Sequence, residues 1–338
     1  MKFATVFTSA TAANASLANI AVPSNVPSYV TQYAPIVYLD STEPYFPSDI
    51  GAQLQHTIPE INFTAVNGAP NPLTLDNVNQ LNSLGGDNVY LTSKDNIQTN
   101  PQWLYGVKPD ANGKTDGAVS CAVIVNDHGS GLVDAFYMYF YAYNYGGVYF
   151  GFEIGDHVGD WEHNMVRFQD GKPIDVWYSQ HSNGEAFTYN AVDKYNGGIR
   201  PVVFSANGSH ANYATTGTHD HSIPDVNLPF GPVEDHCDKG PVWDPVASAY
   251  FYTYDTNTKQ FGTYDEDTPV NWLSFVGKWG DDQYPKSDPL QSSPFGINGL
   301  YKYVGGPTGP EDKQLNRTQV CPDNGIKCIV RPFLTARR

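Results

Sequence analysis

Residues 136–143 read Phe-Tyr-Met-Tyr-Phe-Tyr-Ala-Tyr, six aromatic side chains in eight positions and not one charge. Alternate residues of a strand point to opposite faces, so as a strand this run is apolar on both and has to be covered on both. It is too short and too rich in tyrosine to span a bilayer. Four further strands fit the Val-, Ile-, Phe- and Trp-rich runs at 161–168, 174–179, 201–205 and 249–254, the last turning at Asp255-Thr-Asn257 into 261–263. A helix is expected over 74–84. Gly 31 and Pro 25 in 338 residues make about one turn-former in six. The fold class that follows is mainly β: a β-sandwich with long decorated loops and few short helices, in one domain over 19–338 with its core at about 130–310.

Charge narrows the partners. Asp+Glu 35 against Lys+Arg 19 gives a net −16, and no cluster of basic residues opposes it locally, so nucleic acid is excluded as a partner. Residues 1–18 read as a signal peptide. Met1-Lys2 supplies a positive charge, Phe3 to Phe7 an apolar stretch, and Ala13-Asn14-Ala15 or Ser16-Leu17-Ala18 a small-residue cleavage site. A flexible Ala/Ser-rich tail is the alternative. Sequons at Asn62, Asn207 and Asn316 and an even four cysteines agree with a secreted or vacuolar glycoprotein. Cys321–Cys328, bracketing a Pro-Asp-Asn-Gly turn, and Cys121–Cys237 are the favoured disulfides among three connectivities.

Chemistry concentrates in one stretch. Seven of nine histidines lie between 157 and 236, and Gly155-Asp-His-Val-Gly-Asp-Trp-Glu-His163 carries the densest group. In a strand Asp160 and Glu162 share a face, with Trp161 and His163 on the other. Two carboxylates on one face need a cation, a proton or a basic group between them. Asp170-Gly171 signals a two-residue hairpin. Its register sets Gln169 opposite Lys172 and, carried down the ladder, Glu162 opposite Ser179 and Asp160 opposite His181. A bulge would break that count. The turn Ser205-Ala-Asn-Gly-Ser-His210 presents His210. His219-Asp-His221 adds two imidazoles, and Trp177 an indole on which a sugar or lipid ring could stack. Asp225, Glu234, Asp235, His236 and Asp238 add further ligand-capable groups, although Glu234 to Asp238 is expected to be a solvated loop tied down by Cys237. Each histidine also has a plainer reading as a satisfied structural residue. Oxygen ligands with imidazole and no thiolate suit Mg²⁺, Ca²⁺, Mn²⁺ or Zn²⁺. The sequence has no G-x-S-x-G elbow, H-E-x-x-H helix or P-loop, and Ser209 and His210 are neighbours in a turn that should point apart.

The 155–163 segment, Tyr178-Ser-Gln-His181, Asn207-Gly-Ser-His-Ala211, Gly305-Gly-Pro-Thr-Gly-Pro310 and the opening Tyr33-Ala-Pro-Ile-Val-Tyr-Leu39 before Tyr45-Phe-Pro-Ser48 resemble the fungal vacuolar protein sorting-associated protein 62 family, over about residues 29–315. That family's name reflects a sorting phenotype and implies little chemistry. Asp160-Trp-Glu162 is also similar to the metal motif G-H-R-H-D-W-E of the necrosis-inducing secreted toxins. His157 matches its first histidine, and Gly159 stands where it has the second. By that resemblance His157, Asp160 and Glu162 would hold a divalent cation in a β-sandwich.

Three function classes remain open. The leading one is a metal-dependent hydrolase of a glycan or phosphoester, with His157, Asp160 and Glu162 on the metal and His181 or His210 as general base. The second is metal-dependent binding of a sugar or lipid headgroup without turnover, with Trp177, His219 and His221 as ligand-binding residues. The third is a vacuolar sorting or structural role.

Overall fold

The computed structural model describes residues 21–149, 151–220, 234–293 and 300–334. The proposed signal peptide, His221 and Asp225 lie outside them. The main sheet has eight strands: β1 (Cys121–Gly129), β2 (Leu132–Asn144), β3 (His157–Gln169), β4 (Lys172–Gln180), β5 (Asn183–Thr188), β6 (Ala249–Asp255), β7 (Gln260–Thr263) and β8 (Val330–Arg331). Their spatial order is β7-β6-β1-β2-β3-β4-β5-β8. All neighbours are antiparallel except β6 with β1 and β5 with β8.

The aromatic run is the middle of β2, and both its faces are buried. Phe136, Met138 and Phe140 join Trp161, Met165, Trp272 and Trp279 in one core. Tyr137, Tyr139 and Tyr141 join Val37, Val203 and Trp243 in another. The tyrosine face is covered by a second sheet in the order Asn212–Tyr213, Val202–Ser205, Ile36–Tyr38, Val242–Trp243. The opposite face is closed by short elements, among them the helix Ile50–His56, capped by Asp49 accepting from the Ala52 amide at 2.7 Å. The result is a sandwich with one full sheet, one partial sheet and a layer of loops. Among the described residues no helix is long and apolar enough to cross a membrane.

Three expectations are corrected. The helix expected at 74–84 is a 3₁₀ turn, Val78–Ser83; two Asn, a Gln and a Ser among its six residues favour local turns over a continuing α-helix. Cys321 and Cys328 are bonded, but Cys121 and Cys237 are buried free thiols. They belong to different packing units, Cys121 at the start of β1 in the tyrosine-side core and Cys237 in a small cluster with Phe204 and Tyr213. The third concerns the hairpin register. Asp170 and Gly171 both take positive φ, as a type I′ turn requires, and Lys172 does pair with Gln169. Between Pro173 and Asp175 the register then slips by one, so that Tyr178 faces Asn164. Pro173 has no N–H for the ladder, and a bulge at that point is the local answer.

Candidate functional site

Near the start of β3 the alternation holds: Asp160 and Glu162 pair opposite Tyr141 and Tyr139 on the tyrosine side, while Trp161 packs into the other core. Both carboxylates are almost fully buried. Two other segments bring partners to them.

The first is the 206–211 turn. His210 sits in the left-handed region (φ 56°), fully buried, its ring stacked on Tyr141 with centroids 3.7 Å apart. Its Nδ1 lies 2.9 Å from Asp160 Oδ2 and its Nε2 3.1 Å from the Tyr45 carbonyl, with Glu43 Oε1 3.7 Å away. A carbonyl and a carboxylate only accept, so both ring nitrogens donate and the ring is an imidazolium. Burial alone would lower its pKa, but the Glu43 charge and the Asp160 hydrogen bond outweigh that and raise it to about 10. Ser209, the next residue back, points away and donates to Asp235 Oδ1 at 2.5 Å, as two neighbours in a turn should.

The second is the end of β4. Ser179 donates a short hydrogen bond to Glu162 Oε2, and the His181 amide, also in the left-handed region, reaches Glu162 Oε1 at 3.1 Å. The sequence register put Ser179 and His181 near these carboxylates. The bulge undoes that count, and the turn at His181 restores the approach to Glu162. His181 Nε2 is 2.8 Å from Asp235 Oδ2, which also accepts from Tyr213 at 2.6 Å. Burial opposes protonation of His181, but Asp235 and then Glu162 raise its pKa. Glu162 itself is pushed up to about 7, first by burial and then by Asp160, against the pull of His181, Ser179 and Lys313.

Asp235 is therefore a buried hub and not part of a solvated loop. Sequence reasoning also missed Glu43, whose Oε2 accepts from the Gly208 amide at 2.7 Å and whose Oε1 accepts from the Tyr45 amide at 2.8 Å. Glu43 lies 117 positions before Asp160 with no spacing pattern to link them. The one nearby signal was the Tyr45-Phe-Pro-Ser48 segment beside it.

His157 and His219 sit at the margins. His157 donates Nδ1–H to the Gly159 carbonyl at 2.7 Å, and burial lowers its pKa. His219 stacks on Tyr213 at 3.8 Å and bonds the Thr215 carbonyl, behind Asp235. Gly159 has φ 68°, and a Cβ there would come 2.2 Å from the Trp279 carbonyl oxygen. That contact explains the glycine where the toxin motif has a histidine.

A cavity of about 330 Å³ opens against this cluster, its wall including Ser179, His181, His163, Trp177, Lys313 and Arg317. Its hydrogen bonding is unbalanced. Arg317 Nη2 donates to His163 Nε2 at 2.8 Å; since guanidinium cannot accept, His163 is neutral with its proton on Nδ1, and that buried Nδ1–H has no acceptor among the described residues. Burial, with the Arg317 and Lys313 charges behind it, holds the His163 pKa well below the usual range. The Trp177 indole N–H is likewise without an acceptor among the described residues. Arg317 spends its other donors on the carbonyls of Lys313, Gln314 and Val320 and lies over the Phe136 and Trp177 rings, and burial draws its pKa down to about 9. Neither Lys313 nor Arg317 has a carboxylate ion pair among the described residues. In a chain of net −16 this wall sets Lys313 and the buried Arg317 against one lining carboxylate, Asp312.

Comparison with known proteins agrees with the sequence resemblance. The profile described as Vacuolar protein sorting-associated protein 62 matches residues 148–287. The vacuolar protein sorting-associated protein TDA6 of Saccharomyces cerevisiae is 38% identical over 335 residues, 90% of this chain and 70% of that protein. This chain belongs to the vacuolar protein sorting-associated protein 62 family. The Saccharomyces cerevisiae protein of that name is 35% identical, over 88% of this chain and 68% of its own length. The profile match runs through β3, β4 and the His210 turn, so most of the cluster is in the part of the chain that defines the family. Among solved structures, Necrosis and Ethylene inducing Protein 2 from the agent of cocoa's Witches Broom disease overlaps 57% of this chain and 70% of its own, with 16% identity and a TM-score of 0.27. A glucosamine complex of NLPPya overlaps 64% and 81%, with 13% identity and a TM-score of 0.24. Overlaps this slight carry no argument about ligand or fold.

Proposed function

We propose that this member of the family is a hydrolase of anionic phosphoesters with a vacuolar role, working at the cavity between β4 and the 308–324 segment. The observation that carries the reading is the wall itself: half-exposed Lys313, with no carboxylate ion pair among the described residues, lines the cavity beside Ser179 and His181, with Asp312 as the one lining carboxylate, and a cation so placed suits an anionic ligand. A neutral glycan would bring no charge to meet Lys313.

The chemistry follows from what stands at that wall. Ser179 lies between the cavity and buried Glu162, the relation of a nucleophile to its base. As Ser179 Oγ bonds to phosphorus, its proton passes to Glu162. The phosphorus–leaving-oxygen bond breaks, and His181, held by Asp235, gives that oxygen a proton. Water then attacks the phosphoserine with His181 as base, phosphate leaves, and Glu162 returns the proton to Ser179. In this reading His210 is the fixed cation that neutralises Asp160, not the base. The vacuolar part of the proposal rests on the descriptions of the two yeast relatives.

A divalent cation on His157, Asp160 and Glu162 is the competing reading. One observation favours it: with Nδ1–H given to a carbonyl, His157 keeps its Nε2 lone pair for a ligand, as metal-bound histidines do. Such a cation would supply a Lewis acid for the substrate's oxygen.

The test is turnover of aryl phosphate mono- and diesters by the full chain. Ser179→Ala and Glu162→Gln should each lower kcat at least 100-fold while phenyl phosphate still binds. Binding without turnover in the native protein would reduce the reading to recognition alone. Full activity in Ser179→Ala would end it.

A further inference from the structure

Away from the cavity, on the far side of the 206–211 turn, Asp40, His236 and Asp238 each offer one ligand atom, and these atoms all lie within 4.8 Å of one another. The oxygen environment is uneven. Asp40 Oδ1 accepts from the Thr42 amide at 2.9 Å, the Thr42 hydroxyl at 2.7 Å and the Asn207 side chain at 3.4 Å. Its Oδ2 is buried, on a residue only 1% exposed, and has no hydrogen-bond partner among the described residues. A buried carboxylate oxygen with nothing to accept from is costly, and a cation is the usual partner for one. Lys239, the basic residue next in the chain, extends instead over the Tyr38 and Phe204 rings at 5.9 Å from each centroid.

We propose that Asp40, His236 and Asp238 bind a divalent transition cation of the Zn²⁺ or Mn²⁺ class. Two carboxylates and an imidazole, with solvent free to complete the shell on the exposed His236 side, match the mixed oxygen and nitrogen preference of those ions better than the all-oxygen preference of Ca²⁺ or Mg²⁺. The frame is already built. Ser41 donates to both oxygens of Asp238, from its amide at 2.6 Å and its hydroxyl at 2.5 Å, which orients that carboxylate. The segments on either side are zipped by Gly240 N to Leu39 O at 3.0 Å and Leu39 N to Pro241 O at 2.9 Å. They run so close that a Cβ on Gly240 would lie 2.5 Å from the Leu39 oxygen. The site also touches the turn that carries Ser209 and His210: Asn207 binds Asp40 through its side chain and the His236 carbonyl through its amide, at 2.9 Å. The cation would brace that turn from behind.

The experiment is isothermal titration of the chelator-treated full chain with Zn²⁺, Mn²⁺ and Ca²⁺ separately. One equivalent of Zn²⁺ or Mn²⁺ should bind, with Ca²⁺ at least 10-fold weaker. His236→Ala, at an exposed position that leaves packing intact, should weaken binding at least 100-fold, and Asp238→Asn at least 10-fold. His157→Ala should change nothing, which separates this site from the competing cation reading at Asp160. Absence of binding, unchanged affinity in His236→Ala, or loss of the ion in His157→Ala would each overturn the assignment.

Discussion

Replacing His210 with Asn tests the electrostatics on which the whole cluster depends. Asn tolerates the left-handed backbone at this position, so the change isolates the charge and not the turn. It removes an imidazolium that donates to Asp160 and the Tyr45 carbonyl and stands 3.7 Å from Glu43, leaving two buried carboxylates without their cation. Removing one partner of a buried ion pair costs about 3–5 kcal/mol. Linkage gives an independent figure. The pKa is raised from an ordinary 6.5 to about 10, so the stabilisation is fully present below about pH 6.5 and is lost as pH rises towards 10. At about 1.4 kcal/mol per unit this is on the order of 5 kcal/mol. Urea unfolding at pH 6, 7.5 and 9.5 measures both. Wild type should lose stability across that range. The variant should start lower by about 3–5 kcal/mol and lose much less of what remains. A variant within 1 kcal/mol of wild type, with the same pH dependence, would show that His210 is not the cation described here.

Other substitutions probe the frame. Gly159→Ala, forced into the left-handed region and against the Trp279 carbonyl, should cost more than about 2 kcal/mol in urea unfolding. Asp134→Asn breaks the two-pronged bond with Arg167, whose donors lie 2.7 Å from each oxygen and which also holds the Arg317 and Thr318 carbonyls. A loss of about 3 kcal/mol and faster proteolysis near residue 317 are expected, by limited digestion and mass spectrometry. Converting Cys321 and Cys328 together to Ser opens a loop of sequence separation 7. The thermal midpoint should report about 2 kcal/mol of lost stability, with weaker phenyl phosphate binding because Pro322 and Asn324 line the cavity.

The strands were legible because their chemistry is local. An uncharged aromatic run, alternating faces and an Asp-Gly turn each act within a few residues, and β2, β3 and the hairpin fall where those signals put them. The register beyond the turn was not, because the bulge after Pro173 depends on a missing N–H whose effect propagates to every later pair. The site divides the same way. Asp160, Glu162, His181 and His210 were visible as a cluster of chemistry-bearing residues, whereas Ser179 entered only as a register position opposite Glu162. Glu43, Lys313 and Arg317 were not, since each acts through folding contacts from separate segments, and Asp235 was visible only as a ligand-capable residue of an expected solvated loop. Lys313 and Arg317 come from a stretch with little apolar periodicity that is pinned by buried hydrogen bonds to Asp134 and His163 through Arg167 and Arg317 themselves. Cys121 and Cys237 failed as a pair because an even count says nothing about which core each thiol enters.

The central claim is that the cavity is built for an anion, and calorimetric comparison of phenyl phosphate with the neutral phenyl β-glucoside tests it most directly. Phenyl phosphate should bind with one-to-one stoichiometry and the glucoside should not. Lys313→Ala, at a half-exposed residue that the fold can spare, should weaken the phosphate at least 10-fold. Equal binding of the two compounds, or phosphate affinity indifferent to Lys313→Ala, would contradict the account.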